Sequence, residues 1–293
     1  MRKVGGVVGT YLVAALTVSA APFTFSTGAV TNSIGMATRP ESAGKIEIEA
    51  ADDFVTTASQ TLITSATFTG LLTGGATTAS IGEVVVEIYR VFPNDSNVAR
   101  TSGAPVFSTS QVPTRVNSPS DVEFQGRDSA AGELSYTTSV VATTVTALNS
   151  VLNGIHPTPG QTTGGEGAIT GQAVTFTVNF LTPFSLPADH YFFVPQVQIT
   201  TPTGQFFWLS GTRPLSPSPF PAGATDLQAW IRNATLDPDW LRVGTDIVGG
   251  NPAPTFNGAF SLTGEAVPEP STAALLALGG AALAVLRRRI HQM

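Results

Sequence analysis

Between Val174 and Phe180 the chain alternates without a fault. Val174, Phe176, Val178 and Phe180 are apolar, and Thr175, Thr177 and Asn179 between them are polar. A two-residue period sends successive side chains to opposite faces of an extended strand and does not fit a helix. Such a strand has one face to bury, so it belongs in a sheet packed against another layer. The same pattern recurs. Ile46 and Ile48 share one face, with Glu47 and Glu49 on the other as its solvated side. Residues 62–72 read as a threonine-rich strand running into Thr73-Gly74-Gly75. In residues 83–92, Val84, Val86, Ile88 and Phe92 face together, and Pro93-Asn94-Asp95-Ser96 supplies turn chemistry. Residues 191–200 and 206–210 flank Thr201-Pro202-Thr203-Gly204 and read as a hairpin, with Pro195 putting its strand at an edge or bulge. Leu227, Ala229 and Ile231 make another strand, and residues 256–263 a last one.

Some stretches resist this scheme. Residues 134–148 begin as a strand, yet Val141, Val145, Leu148 and Leu152 have helical spacing. The pattern predicts a strand as far as Val145, then one or two helical turns closing at Asn153-Gly154. Residues 160–171 and 214–223 are loops by composition, and the first could divide two subdomains. No fixed-period repeat is visible, which argues against a solenoid or propeller. The expected fold class is all-β, an antiparallel β-sandwich or jelly-roll-like body over residues 45–265. A mature leader or edge strand over residues 21–44 precedes it.

The two ends follow different rules. Met1-Arg2-Lys3 is a basic start, residues 4–18 are apolar, and Val18-Ser19-Ala20 fits small-residue cleavage. Residues 1–20 therefore read as a signal peptide with a helical apolar region, cut after Ala20. A retained N-terminal membrane helix is the competing reading, weakened by Gly5, Gly6 and Gly9. At the other end, residues 266–293 contain Val267-Pro268-Glu269-Pro270, an apolar run over 271–286, and Arg287-Arg288-Arg289. The prolines hold the tripeptide extended. The run is about 24 Å long at the helical rise, short against the ~20 residues of a full span, though arginines can snorkel to extend it.

This order of elements resembles the PEP-CTERM sorting segment of exported proteins from Gram-negative bacteria with exopolysaccharide systems. The resemblance implies an exosortase-type membrane enzyme as partner, recognising the segment and cutting near Pro-Glu-Pro. It also implies a C-terminal transmembrane helix that anchors the chain before processing, and a cell-surface or extracellular destination. A plain tail anchor and a buried core helix are the competing readings. Beyond its ends, the chain resembles no family of known activity.

Charge narrows the partners. The chain has 14 basic and 20 acidic residues, and five of the basic ones lie in the two terminal segments. All 20 acidic residues lie between Glu41 and Glu269, so residues 21–270 carry nine basic against 20 acidic, a net −11, with Lys45 the only lysine among them. Such a surface repels nucleic acid and anionic lipid, and suits solubility or association with cations. The absence of cysteine removes disulfide and thiolate-metal chemistry.

Candidate chemistry is sparse. There is no Gly-x-Ser-x-Gly elbow, and the body's histidines, His156 and His190, read as structural or surface residues. Glycoside hydrolysis needs two carboxyl groups facing across a cleft. Asp52-Asp53, Glu47/Glu49, Asp121/Glu123 and Asp237/Asp239 are pairs of the right type. Strand spacing alone explains them equally well. Asp237, Asp239 and Asp246 are a candidate calcium site without the EF-hand pattern, against the plainer reading of a proline-initiated turn. Trp208, Trp230 and Trp240 could stack on sugar rings if exposed, or fill the core if buried. The threonine pairs Thr67/Thr69 and Thr175/Thr177 invite an ice-binding reading, which needs more such pairs in register. No cofactor is expected. The sequence favours a non-enzymatic surface or matrix protein associated with extracellular polysaccharide. A carbohydrate-acting enzyme, or an ice- or glycan-binding module, on a jelly roll is the alternative.

Overall fold

The computed structural model describes residues 20–109, 112–155, 162–267 and 279–280. Pro22–Val267 forms one compact unit. Its first strands in chain order are β1 (Ala21–Ser26), β2 (Gly35–Ala37), β3 (Ile48–Thr56), β4 (Gln60–Thr73) and β5 (Ile81–Arg90). Next come β6 (Gln125–Asp128), β7 (Leu134–Ala147), β8 (Ser150–Val151), β9 (Ile169–Leu186) and β10 (Asp189–Ile199). The last are β11 (Gln205–Leu209), β12 (Trp230–Asn233), β13 (Leu241–Arg242) and β14 (Phe260–Val267).

These strands make two sheets, the sandwich that the alternation predicts. The eight-stranded sheet is built on β4. Its residues pair with β9 along nearly their whole length, while β14 takes residues 60–68 and β11 takes 70–73. A strand has only two edges, so β14 and β11 share the one that β9 leaves free. β7 pairs with β9 and is the outermost strand on that side. The six-stranded sheet has the order β13-β12-β3-β10-β5-β6.

Between the sheets lies an aromatic core. Phe193 of β10 reaches across to Phe68, Trp208 and Phe260, with its ring stacked on Phe260 at 4.9 Å. Phe68 in turn stacks on Phe176 at 4.8 Å. Phe176 and Phe180 are therefore buried on the face that their period assigned to the core.

Four expectations fail, each for a physical reason. The hairpin at residues 201–204 does not form a ladder, because β10 and β11 belong to different sheets. Both strands are buried on both sides, and the turn carries the chain from one layer to the other. Pro195 lies in a central strand and not at an edge. Pairing with β3 stops at Phe193, and beyond it the Thr38 hydroxyl donates to the Pro195 carbonyl, so no ladder bond is missing where proline has no N–H. The helical turns predicted after Val145 are absent; β7 runs on to Ala147. Register shifts after Val140 and after Ala142 absorb the extra residues as bulges, which produces the apparent helical spacing. Finally, Glu49 is not solvated but buried.

Candidate functional site

Glu49 is buried because the six-stranded sheet is covered on its outer face too. Ala51, Tyr89, Phe192, Val194, Leu227, Trp230 and Trp240 form a second, smaller core there. The segment between β5 and β6 lies over it, with the Ser120 carbonyl accepting from Trp240 Nε1 at 3.1 Å. Strand alternation then forces Glu49, Glu87 and Tyr89 into this layer from β3 and β5, and Arg232 from β12.

The charges there neutralise one another. Arg232 grips Glu49 through Nε and through Nη2 at 3.0 Å, and its Nη1 lies 2.7 Å from Asp237 Oδ1. Its guanidinium also stacks 4.4 Å from the Trp240 ring. The Tyr89 hydroxyl donates to Glu49 Oε1 at 2.7 Å and accepts from Arg232 at 2.9 Å. Glu87 Oε2 lies 3.2 Å from the same phenol, a longer contact than the one to Glu49. Burial and the neighbouring Glu49 hold the Glu87 carboxyl well above the usual carboxylate range. Around this centre, Arg100 bridges Asp121 (3.0 Å) and Asp239 (2.9 Å), and Arg115 also binds Asp121.

Several of the carboxylates paired in the sequence are engaged by arginines, Glu49 and Asp237 by Arg232. Asp121 and Asp239 share Arg100. Asp52 and Asp53, being neighbours on a strand, point to opposite sides of the sheet. Asp53 meets His190 Nε2 at 2.6 Å on the outer side and accepts from Leu227 N at 3.1 Å; burial, eased by His190, pushes its carboxyl up to about 6. Asp52 is on the core side, where Gly258 N donates to it at 3.0 Å and its other oxygen has no partner. His156 lies outside the described residues.

Asp52 carries a testable consequence. Burial, then Asp53, raises its carboxyl well above the usual range. A carboxyl raised in the folded state gives stability that is complete below the unfolded value of ~3.9 and is lost as pH rises through the folded value. Asp52→Asn cannot ionise, so it should raise the melting temperature by a few degrees at pH 8 and by less at pH 5. Thermal melts at the two pH values check this, and equal shifts would count against it.

The calcium site is not assembled. Asp237, Asp239 and Asp246 answer to Arg232, Arg100 and Arg242 respectively. Among the described residues no group of acidic or histidine side chains is placed to hold a metal ion. The aromatic platform is also absent. Trp208, Trp230 and Trp240 are 0%, 1% and 2% exposed, with no ring face open to a sugar. Trp208 lies between the sheets and the other two in the outer core. A cavity of about 550 Å³ lies beside Trp230, lined by Arg213, Asp226, Phe107, Pro113 and Arg242. Its charges are already spent, Arg213 on Asp226 at 3.0 Å and Arg242 on Asp246.

The remaining sequence signal is at the end of the body. β14 stops at Val267, which is 37% exposed, immediately before Pro268. Residues 266–289 match the PEP-CTERM protein-sorting motif.

The chain carries a PEP-CTERM sorting motif. The motif marks an exported protein, processed by an exosortase-type membrane enzyme. It overlaps the compact unit only at Ala266 and Val267, so the body's last strand hands over directly to the sorting segment. Pro268, Glu269, Pro270, Arg287, Arg288 and Arg289 lie outside the described residues, as do Val18 and Ser19; Ala20 is exposed just before β1. No helix among the described residues is long and apolar enough to cross a membrane. Comparison with curated proteins and with solved structures gave no match.

The Glu49–Arg232–Tyr89 cluster was missed from sequence. Its only local signal was Glu47 and Glu49 in alternation, and Arg232 is 183 residues away from Glu49.

Proposed function

We propose that the mature protein is a non-enzymatic component of the cell surface or extracellular matrix of a Gram-negative bacterium, associated with exopolysaccharide. The sorting motif at residues 266–289 is the observation that carries this reading. In it, residues 1–20 are a signal peptide removed after Ala20. The apolar run after Pro-Glu-Pro is a transmembrane helix that holds the precursor with Arg287–Arg289 on the cytoplasmic side until the exosortase cuts. The body is a jelly-roll-like sandwich that leaves the membrane intact. What supports a non-catalytic body is that Glu49, Asp121, Asp237, Asp239 and Asp246 are each engaged by an arginine. With the indoles buried, a neutral glycan would meet the hydroxyl-bearing outer face of the eight-stranded sheet.

Fractionation of a native culture with intact-mass analysis tests the reading. The mature chain should begin at Ala21, end near Pro270 and co-fractionate with polysaccharide until the glycan is depolymerised. A mass that retains Arg287–Arg289 would sink exosortase processing. A correctly processed protein that never co-fractionates with glycan would sink the polysaccharide association alone. Replacing Pro268, Glu269 and Pro270 by alanine should leave export unchanged and trap the precursor in the membrane fraction.

A further inference from the structure

Charge is divided unequally between the two sheets. β4, β9 and β7, which lie side by side, contain no Asp, Glu, Lys or Arg, and Glu265 in β14 is the only charged residue in any strand of their sheet. The six-stranded sheet carries the strand charges, among them Glu49, Glu83, Glu87, Arg127 and Arg232.

β7 is also a free edge. It pairs with β9, and among the described residues no strand lies on its other side. The remaining edges are blunted. β8 and β13 are two residues each, β6 is four and carries Arg127 and Asp128, and β1 is six and contains Pro22. β7 is 14 residues long with no charge, proline or glycine. Such an edge offers a row of unpaired N–H and C=O groups to another strand. The bulges limit how much of it is straight. Register with β9 is unbroken over residues 134–140, whose centre is Thr137, and shifts twice beyond Val140.

We infer that β7 pairs with β7 of a second copy, antiparallel about a two-fold axis at Thr137, joining two eight-stranded sheets into one. Charge selects the second copy as occupant. Two copies, each net −11 over residues 21–270, repel, and an approach through the acidic sheet sets carboxylate against carboxylate, whereas this edge sets none. The segment is self-complementary about that axis, as a two-fold interface must be. Ser135 meets the second copy's Ser139, and Thr137 meets its own equivalent, cross-strand hydroxyl pairs of a stabilising kind. Ser135, Thr137 and Ser139 already stand opposite Asn179, Thr177 and Thr175 of β9, and these stand opposite Ser65, Thr67 and Thr69 of β4. The polar rows would continue unbroken from one copy to the next. Each copy has one such edge, so the pair closes as a dimer. A short ladder buries less than the ~1,200–2,000 Å² of a stable interface, so the dimer is weak and concentration-dependent.

Sedimentation velocity of the full-length chain over a concentration series tests this. The wild type should show a reversible monomer–dimer equilibrium. Thr137→Lys, which sets two ammonium groups against each other at the axis, should weaken association at least tenfold without changing the melting temperature. Mixing Thr137→Lys with Thr137→Glu should restore the dimer. Thr263→Lys, exposed on β14 of the same sheet and away from the edge, should leave it intact. Because the chain has no cysteine, Thr137→Cys supplies a second reading that needs no charge. Directly opposed antiparallel residues are within disulfide reach, so oxidation should cross-link this variant and leave Thr263→Cys monomeric. A wild type that is monomeric at every concentration, a Thr137→Lys variant that dimerises normally, or a Thr137→Cys variant that does not cross-link would each overturn the inference.

Discussion

Arg232→Met should be the most damaging single substitution in the outer layer of the body, costing ~3–5 kcal/mol, as expected when one partner of a buried ion pair is removed. Arg232 is 5% exposed and Glu49 3% exposed, so the abandoned carboxylate cannot reach water. It would be left beside Glu87, whose carboxyl is already held up by burial and by Glu49. The phenol of Tyr89 would lose a donor at the same time. The sign of the pH dependence follows. Without Arg232 the buried acidic cluster loses its cation, and Glu87 within it already has its carboxyl held up by burial. The stability deficit should therefore be largest at pH 8 and shrink toward pH 5, where protonation relieves the uncompensated negative charge. Chemical denaturation at both pH values measures this. Adding Glu49→Gln to Arg232→Met should recover a large part of the loss, because it removes the orphaned charge. A deficit below ~1 kcal/mol at pH 8 would mean that the ion pair contributes no more than a surface contact.

Trp208→Ala should cost a similar ~3–5 kcal/mol, for an unrelated reason. Trp208 is fully buried between the sheets, edge-on to Phe193 and Phe260 with centroids 6.1 and 5.8 Å away. Its Nε1 donates to the Ala259 carbonyl at 3.0 Å, so truncation opens a cavity and leaves that carbonyl with only its 3.3 Å bond from Thr69 N. The site has little freedom to collapse. A Cβ placed on Gly258 would come within 2.2 Å of the indole, which shows how closely the backbone before β14 is laid against the ring. The loss should be nearly independent of pH, in contrast to Arg232→Met, since no titratable group is involved. Thermal and denaturant unfolding of the two variants side by side would separate packing from charge. Trp208→Phe should recover part of the stability and none of the hydrogen bond.

The sequence by itself determined the class of fold and the sorting motif at residues 266–289. A two-residue period such as Val174 to Phe180 is a local property, and β9 buries the side it predicts. The sorting motif is likewise a linear signal, because prolines, an apolar run and arginines act in order along the chain. Tertiary structure alone decided which alternating strands have a dry second face. Glu49 alternates with Ile48 as a solvated residue would. It is buried because the segment between β5 and β6 covers that side of the sheet, and it is tolerated because β12 brings Arg232 to it. Only the pairing of strands distant in sequence showed that one sheet is almost free of charge while the other carries it. Local periodicity says that a strand has two faces, and says nothing of what the rest of the chain lays over each. Burial is a property of layers, so the solvated carboxylate, the hairpin at residues 201–204 and the edge position of Pro195 could not be settled before the layers were known.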